Sequence, residues 1–306
     1  MTKVLIATVK PFAKAAVDQI KITLDKAGYE SEFFEKYASQ DDLIEAVADA
    51  DAMIVRSDKI TEEVIAAAKK LKIVVRAGAG FDNVNLEAAS ANDVVVMNTP
   101  GQNSNAVAEL ALGMMVFQAR NHFNGTSGSE LKGKKLGIQA YGNVGRLVAN
   151  IAKGFGMEIY AYDPFIARET MEAEKVNVCE TVEELYSVSD YLSLHIPAND
   201  KTKKSINYDL LSKMKDGAVL VNTARKEVID EDGLAKIMEE KTNFKYVSDI
   251  APGNRLALEE KFEGRVFFTP KKMGAQTAEA NINAGIAAAK QIIAYLEKGV
   301  ATFKVN

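Results

Sequence analysis

Apolar residues fall along this chain in two alternating rhythms. Short unbroken apolar runs at 4–9, 53–56, 73–77 and 94–98 are separated by segments with helical spacing at 13–27, 41–48 and 61–70. Runs that are apolar throughout, rather than at every second position, predict strands of a parallel sheet covered on both faces. After Asn98-Thr99-Pro100-Gly101 the rhythm breaks, and Asn105 opens a longer helix with Val107, Leu110, Ala111, Met114 and Met115 at helical spacing, running to about His122. The glycine- and serine-rich stretch 124–129 reads as a loop. A second series then begins at Lys134, with strands predicted at 136–140, 158–162, 191–196, 218–223, 246–250 and 266–269, and it ends in an alanine-rich helix over 278–298. Strand and helix alternating twice over predict an α/β fold.

Length turns this into two domains, because a chain of 306 residues exceeds the size at which one core keeps growing. Pro100-Gly101 is the clearest boundary, giving a first domain over 1–100 and a second from 101. Hydrophobic residues make up 47% and charged residues 26%, a globular composition. A net charge of −4 argues against a nucleic-acid partner, while leaving open a local basic pocket for an anion. The single cysteine, Cys179, cannot form an intramolecular disulfide, so a reducing compartment is expected. It follows Val178 in a predicted strand and reads as a packed thiol rather than a nucleophile. The first apolar run is too short for a signal peptide, and no stretch approaches the roughly 20 apolar residues that span a bilayer. The expectation is a cytoplasmic protein with neither a membrane nor a metal as partner.

The most informative segment is the strand ending in Ala140, followed by Tyr141-Gly142-Asn143-Val144-Gly145 and then a helix. This is the dinucleotide turn GxGxxG with alanine at its first position, tolerable if the turn there does not demand a positive φ. Gly142 lets the backbone approach a pyrophosphate and Gly145 allows close packing of helix on strand. The helix N-terminus offers unpaired N–H groups to the phosphates. Asp163 lies roughly 20 residues further on, at the end of the next strand, where a carboxylate binds the ribose hydroxyls of NAD and repels the extra phosphate of NADP. Pro164 and Phe165 follow it, with no arginine directly behind. The cofactor expected is NAD.

Further segments carry a resemblance. In order along the chain they are Val55-Arg56-Ser57, Arg76-Ala77-Gly78-Ala79-Gly80-Phe81-Asp82-Asn83-Val84, Asn98-Thr99-Pro100-Gly101-Gln102-Asn103, Val107-Ala108-Glu109, His195-Ile196-Pro197, Val221-Asn222-Thr223-Ala224-Arg225, Ser248-Asp249-Ile250 and Thr269-Pro270. Together with the dinucleotide turn they resemble the D-2-hydroxyacid dehydrogenase family, and within it the phosphoglycerate dehydrogenase subgroup, over nearly the whole chain. The resemblance implies two Rossmann-like domains with parallel sheets: a flavodoxin-like substrate domain, 1–100 closed by 280–306, and an inserted NAD-binding domain, 101–279. It further implies a homodimer formed through the NAD-binding domain. At 306 residues the chain has no room for the C-terminal regulatory domains of longer members, so serine feedback is not expected.

Residue by residue, the resemblance makes Arg225 the catalytic arginine. Its fork suits a carboxylate and the C2 oxygen together, and it polarises the carbonyl in the reductive direction. Asp249 matches the contact to the nicotinamide carboxamide, and Val107, His195, Pro197, Thr223 and Ala224 join the turn residues at the cofactor. Ala77 and Gly78 match the loop whose N–H groups hold the substrate carboxylate, with Ser57 and Asn103 in the same substrate-binding set. Arg56 and Arg76 are candidates for a substrate phosphate; the alternative for either is an ordinary surface or interdomain salt-bridge residue.

The chain departs from the family at the proton relay. Family members use a His–Glu pair, but the glutamate position falls at about Asn254 and Thr269-Pro270 is followed by Lys271-Lys272-Met273-Gly274. The only histidines, His122 and His195, lie elsewhere in the pattern. A short, lysine-type subgroup resembles this arrangement. Counting from Pro270 selects Lys271 and counting back from Gly274 selects Lys272, so the choice stays open with an inclination to Lys272. A lysine amine, with a reference pKa of about 10.4, must be lowered by burial and by Arg225 to act as a base near neutrality. Lys226, where the family often has glycine, has no account. The implied activity is NAD-dependent oxidation of 3-phospho-D-glycerate to 3-phosphohydroxypyruvate, the entry to serine biosynthesis. The alternatives are a hydroxypyruvate or glyoxylate reductase, and a non-catalytic NAD-binding protein of the corepressor kind.

Overall fold

In the computed structural model, which describes all 306 residues, the chain divides into two compact units, 1–104 with 275–306 and 105–274. The divisions fall at Ser104/Asn105 and Gly274/Ala275, a few residues inside the second domain as drawn from the sequence.

The first unit holds strands β1 (Lys3–Thr8), β2 (Glu30–Glu35), β3 (Ala52–Val55), β4 (Ile73–Arg76) and β5 (Val95–Asn98), with helices α1 (Lys14–Lys26), α2 (Gln40–Val47), α3 (Glu62–Ala67) and α4 (Leu86–Ala91) between them. The sheet is parallel throughout, in the order β2-β1-β3-β4-β5, the flavodoxin-like winding. Strands β1, β3, β4 and β5 are buried almost end to end, as their unbroken apolar runs demand. Strand β2 carries no such run. Its Glu-Ser-Glu-Phe-Phe-Glu sequence suits the sheet edge, where one side stays unpaired and charged side chains discourage further pairing. Helix α2 starts at a capping box between Ser39 and Asp42. One core layer, containing Ile20, Leu24 and Ile54, is closed by the C-terminal helix through Ala284, Ala288, Ala289 and Ile292. The chain end then pairs with β5 through Val305 N–H to the Val96 carbonyl, 2.9 Å.

The second unit opens with α5 (Ser104–Ala119) and contains β6 (Lys135–Gln139), α6 (Asn143–Gly154), β7 (Glu158–Tyr162), α7 (Arg168–Ala173), β8 (Asn177–Val178), α8 (Val182–Val188), β9 (Tyr191–Leu194), α9 (Tyr208–Ser212), β10 (Val219–Asn222), α10 (Glu231–Glu240), β11 (Lys245–Ser248), α11 (Arg255–Lys261) and β12 (Val266–Phe268). Helix α12 (Ala278–Lys298) is the C-terminal helix of the first unit. Helix α5 stops short of His122 because Asn121, His122 and Phe123 all take left-handed backbone, φ 49°, 56° and 55°. The bend is held by His122 stacked on Phe117, ring centroids 4.6 Å apart, and bonded to the Gln118 side chain at 2.8 Å. Seven parallel strands run in the order β12-β11-β10-β9-β6-β7-β8. This is the Rossmann order with one more strand at the β12 edge, and its winding reverses between β6 and β9. Apolar layers cover both faces, one around Leu192, Leu220 and Tyr246 and the other around Ile138, Ala149 and Val221.

Candidate active site

In a parallel sheet every strand ends on the same edge, and at that edge of the second unit the sequence has placed its chemistry. Next to the winding reversal, β6 leads through Ala140 and Tyr141 into Gly142, the N-cap of α6. Ala140 takes a positive φ, 75°, so the turn does demand the left-handed backbone that alanine was expected to avoid. The residue carries strain of about 1–2 kcal/mol. Two hydrogen bonds hold it there: Ala140 N–H to the Tyr162 carbonyl, 3.0 Å, and Tyr141 N–H to Asp163 Oδ2, 2.7 Å. Asp163 Oδ1 accepts the Phe165 N–H at 2.8 Å, so this carboxylate ties the turn after β6 to the end of β7. A Cβ on Gly145 would run into the Ala140 carbonyl, which accounts for glycine there. The buried Tyr141 ring reaches Glu174 through its hydroxyl, 2.9 Å, and Glu174 in turn meets Arg146 at 3.4 Å.

Across the reversal, His195 donates its N–H to the Gln139 carbonyl, 3.0 Å, and its Nε2 faces Ser193 Oγ at 2.9 Å. Burial pushes its pKa down to about 3, so the ring is neutral. Cys179 is buried, and burial with Glu184 and Glu180 pushes its thiol up to about 11, in line with a packing role.

The adjacent strands β10, β11 and β12 deliver the other groups. Arg225 follows β10 and donates from Nη1 to the Ala224 carbonyl, 3.0 Å. Lys272, beyond β12, donates from Nζ to the same carbonyl at 2.9 Å. Asp249, immediately after β11, is fully buried. Its Oδ2 accepts the N–H groups of Gly274 at 2.7 Å and Met273 at 3.3 Å. Burial raises its pKa above the ordinary carboxyl value, against the opposing pull of the Gly274 N–H, Lys272, the Met273 N–H and Arg225. Lys271 is exposed, and its carbonyl accepts the Thr269 hydroxyl at 2.7 Å. Asn254 stands at the N-cap of α11 and gives its N–H to Glu231 Oε2, 3.2 Å. Lys226 is exposed in the short turn Lys226–Val228, and nothing in the structure explains it.

These residues fit a dinucleotide. Gly142 is exposed, with open space where a Cβ would stand, and α6 presents its N-terminus beside it. Asp249 Oδ1 and Thr223 Oγ1 are among the buried oxygens without partners, and an amide NH2 is the kind of donor they need. Val107 lines the same region from α5, its Cγ2 being 3.3 Å from where a Cβ on Gly274 would lie. Asn143 is exposed, Val144 half-buried and Pro197 exposed.

The first unit holds the proposed substrate residues. The Ala77 N–H continues the ladder to Val55 O, 2.8 Å, and the Gly78 N–H closes a tight turn on Arg76 O, 2.8 Å. Arg56 is a brace: Nη1 donates to the carbonyls of Lys10 and Pro11, 2.9 and 3.1 Å, and Nη2 to Asn281 Oδ1, 2.6 Å. Its guanidinium also lies over the Phe12 ring, 5.0 Å from the centroid. Arg76 folds back so that Nη1 occupies the space a Cβ on Gly78 would need. Ser57 is exposed, and Asn103 sits half-buried just before α5. Sequence reasoning did not find the bonds from Asp249 to the backbone of 273–274 or the partnership of Tyr141 with Glu174. The first joins segments far apart in sequence through backbone donors, which no residue pattern marks.

Residues 102–270 match the family described as D-isomer specific 2-hydroxyacid dehydrogenase, NAD binding domain. The chain is 35% identical over 281 residues to hydroxypyruvate reductase of Thermotoga maritima, covering 86% of this chain and 90% of that protein. It is 36% identical over 287 residues to D-3-phosphoglycerate dehydrogenase of Methanocaldococcus jannaschii, covering 88% of this chain but 54% of that longer protein. Among solved structures, the NAD+-bound 3-phosphoglycerate dehydrogenase of Entamoeba histolytica superposes with a TM-score of 0.91 at 49% identity, covering 100% of this chain and 98% of that one. The chain belongs to the D-isomer specific 2-hydroxyacid dehydrogenase family. It is an NAD-dependent oxidoreductase of two Rossmann-like units.

Proposed function

We propose that this chain oxidises 3-phospho-D-glycerate to 3-phosphohydroxypyruvate with NAD. The observation that carries the reading is the meeting of Arg225 Nη1 and Lys272 Nζ on the Ala224 carbonyl, beside Asp249, at neighbouring strand ends. In this reading Arg225 grips the substrate carboxylate and the C2 oxygen, and Lys272, as the neutral amine, takes the C2 hydroxyl proton on its nitrogen lone pair while an N–H stays on the Ala224 carbonyl. NAD, when bound, supplies the hydride acceptor. Asp249 Oδ1 and Thr223 Oγ1 hold its carboxamide, and Gly142 with the α6 N-terminus holds its phosphates. Arg56, just after β3, and Arg76, at the end of β4, are the candidates for the substrate phosphate.

Identity of 49% to a 3-phosphoglycerate dehydrogenase, over nearly the full length of both chains, supports the phosphorylated substrate. The likeness to a hydroxypyruvate reductase supports a second reading, reduction of hydroxypyruvate or glyoxylate. An NADH-coupled assay on 3-phosphoglycerate, with hydroxypyruvate and glyoxylate reduction alongside, separates the two. Lys272→Ala is expected to lose turnover by about 100-fold or more, at least the lower end of what a positioned acid or base contributes, while Lys271→Ala stays near normal. Wild-type oxidation should rise toward alkaline pH. Near-normal turnover in Lys272→Ala would sink the lysine assignment. A homodimer through the second unit is part of the same reading, supported by partly exposed Leu110, Val116 and Phe117 on α5 and by Phe123, 65% exposed. Light scattering on the purified protein tests it. No helix is long and apolar enough to cross a membrane.

A further inference from the structure

We infer that Asp249 is a positioning residue for Lys272, dividing its two carboxylate oxygens between the cofactor side and the lysine loop. The inference rests on the lysine reading above. A lysine side chain carries about 2 kcal/mol of rotamer entropy, and one on an exposed loop adds the freedom of the loop itself. A proton-transfer group needs that freedom removed, since a misplacement of about 1 Å can cost on the order of 100-fold in rate.

The backbone on both sides of Lys272 is pinned. Before it, the Lys271 carbonyl accepts the hydroxyl of buried Thr269 at 2.7 Å. After it, the Met273 and Gly274 N–H groups converge on Asp249 Oδ2 at 3.3 and 2.7 Å. The same threonine hydroxyl also lies 3.0 Å from the Asp249 carbonyl, so both pins trace back to the end of β11. Gly274 is part of the device: a Cβ there would stand 2.9 Å from Asp249 Oδ2 and 3.3 Å from Val107 Cγ2. A buried carboxylate cannot withdraw without losing both N–H bonds. Asp249 Oδ1 takes no part in the loop.

The experiment compares Gly274→Ala, Asp249→Asn, Asp249→Ala and Lys272→Ala in the whole protein, by steady-state kinetics across pH and by amide hydrogen exchange without NAD. Gly274→Ala is expected to lower kcat by about 10-fold or more while KM for NAD stays within about 3-fold, because the loop is displaced and Oδ1 is not. Asp249→Asn keeps an oxygen for the Gly274 N–H, so the amides of 273–274 stay protected. With the negative neighbour of the amine gone, the alkaline limb of kcat moves to lower pH, a shift that a merely structural residue would not produce. Without NAD, those two amides exchange slowly in the wild type and fast in Asp249→Ala, a readout that survives even if a variant is inactive. Wild-type kcat and pH profile in Gly274→Ala, or equal exchange at 273–274 in wild type and Asp249→Ala, would overturn the positioning role. If Lys272→Ala itself retains turnover, the lysine reading and this inference fall together. If Lys272→Ala is inactive but the loop variants behave as wild type, only this inference falls.

Discussion

Replacing Ala140 by glycine and, separately, by valine tests whether the dinucleotide turn stores strain. At φ 75° an L-residue costs about 1–2 kcal/mol relative to an ordinary conformation. Glycine removes that cost but gives the unfolded chain more freedom, worth about 0.4–1 kcal/mol, and it removes a methyl that packs partly against the neighbouring apolar layer, worth about 0.4 kcal/mol at half burial. The two losses nearly cancel the gain, so Ala140→Gly should raise stability by only about 0.5 kcal/mol, or about 1–2 °C in Tm. Valine faces the same left-handed backbone with a branched Cβ and should lose about 1–2 kcal/mol more than alanine, lowering Tm by about 2–8 °C. The assay is calorimetry or circular-dichroism melting of the three proteins, with NAD affinity measured in parallel. Affinity should hold within about 3-fold in the glycine variant, since the Tyr141 N–H still anchors on Asp163. A valine variant as stable as the wild type would refute the reasoning, because the turn would then be adapting its φ to the side chain.

Two other outcomes are expected. Tyr141→Phe removes the hydroxyl bonded to Glu174 at 2.9 Å and should cost about 1 kcal/mol in urea unfolding, with NAD affinity within about 3-fold because the backbone N–H is untouched; a loss beyond about 10-fold would mean the hydroxyl serves the cofactor. His195 has a folded pKa near 3 against about 6.5 unfolded, so the unfolded chain binds the proton first as pH falls. Stability is therefore full above about pH 6.5 and declines toward pH 3, by on the order of 2 kcal/mol at pH 4.5 after allowing for the ring's partial exposure. In His195→Gln the loss between pH 7 and pH 4.5, followed by urea titration, should be correspondingly smaller, and an unchanged loss would count against a buried neutral ring.

What the sequence made legible is what repeats along a strand or helix. The buried runs of β1, β3, β4 and β5 announced themselves because parallel strands covered on both faces cannot afford polar positions. β2 stayed hidden because an edge strand needs no such run. The dinucleotide turn was legible in its spacing, but the positive φ of Ala140 was not, since nothing local distinguishes an alanine that is strained from one that is relaxed. The two arginines of the first unit show the same limit. Arg56 and Arg76 look alike as cations after strands, yet Arg56 spends its donors on Lys10, Pro11 and Asn281, the last of them far along the chain.

The lysine substitution becomes intelligible from the sheet. β10, β11 and β12 lie side by side and parallel, so the residues just past their ends, Arg225, Asp249 and Lys272, are brought to one edge by topology alone. A relay built on histidine needs a glutamate partner to set its ring, and that partner must come from another loop. An amine has no ring to orient. It needs its stem aimed and its charge balanced, and here the Ala224 carbonyl, the Arg225 guanidinium and the Asp249 carboxylate are all within its reach or its field. On the lysine reading no glutamate is needed at Asn254, which stands at the N-cap position of α11 without a side-chain cap bond. The price falls on the loop instead, where Met273 and Gly274 must meet a buried carboxylate and position 274 tolerates no side chain without displacing it.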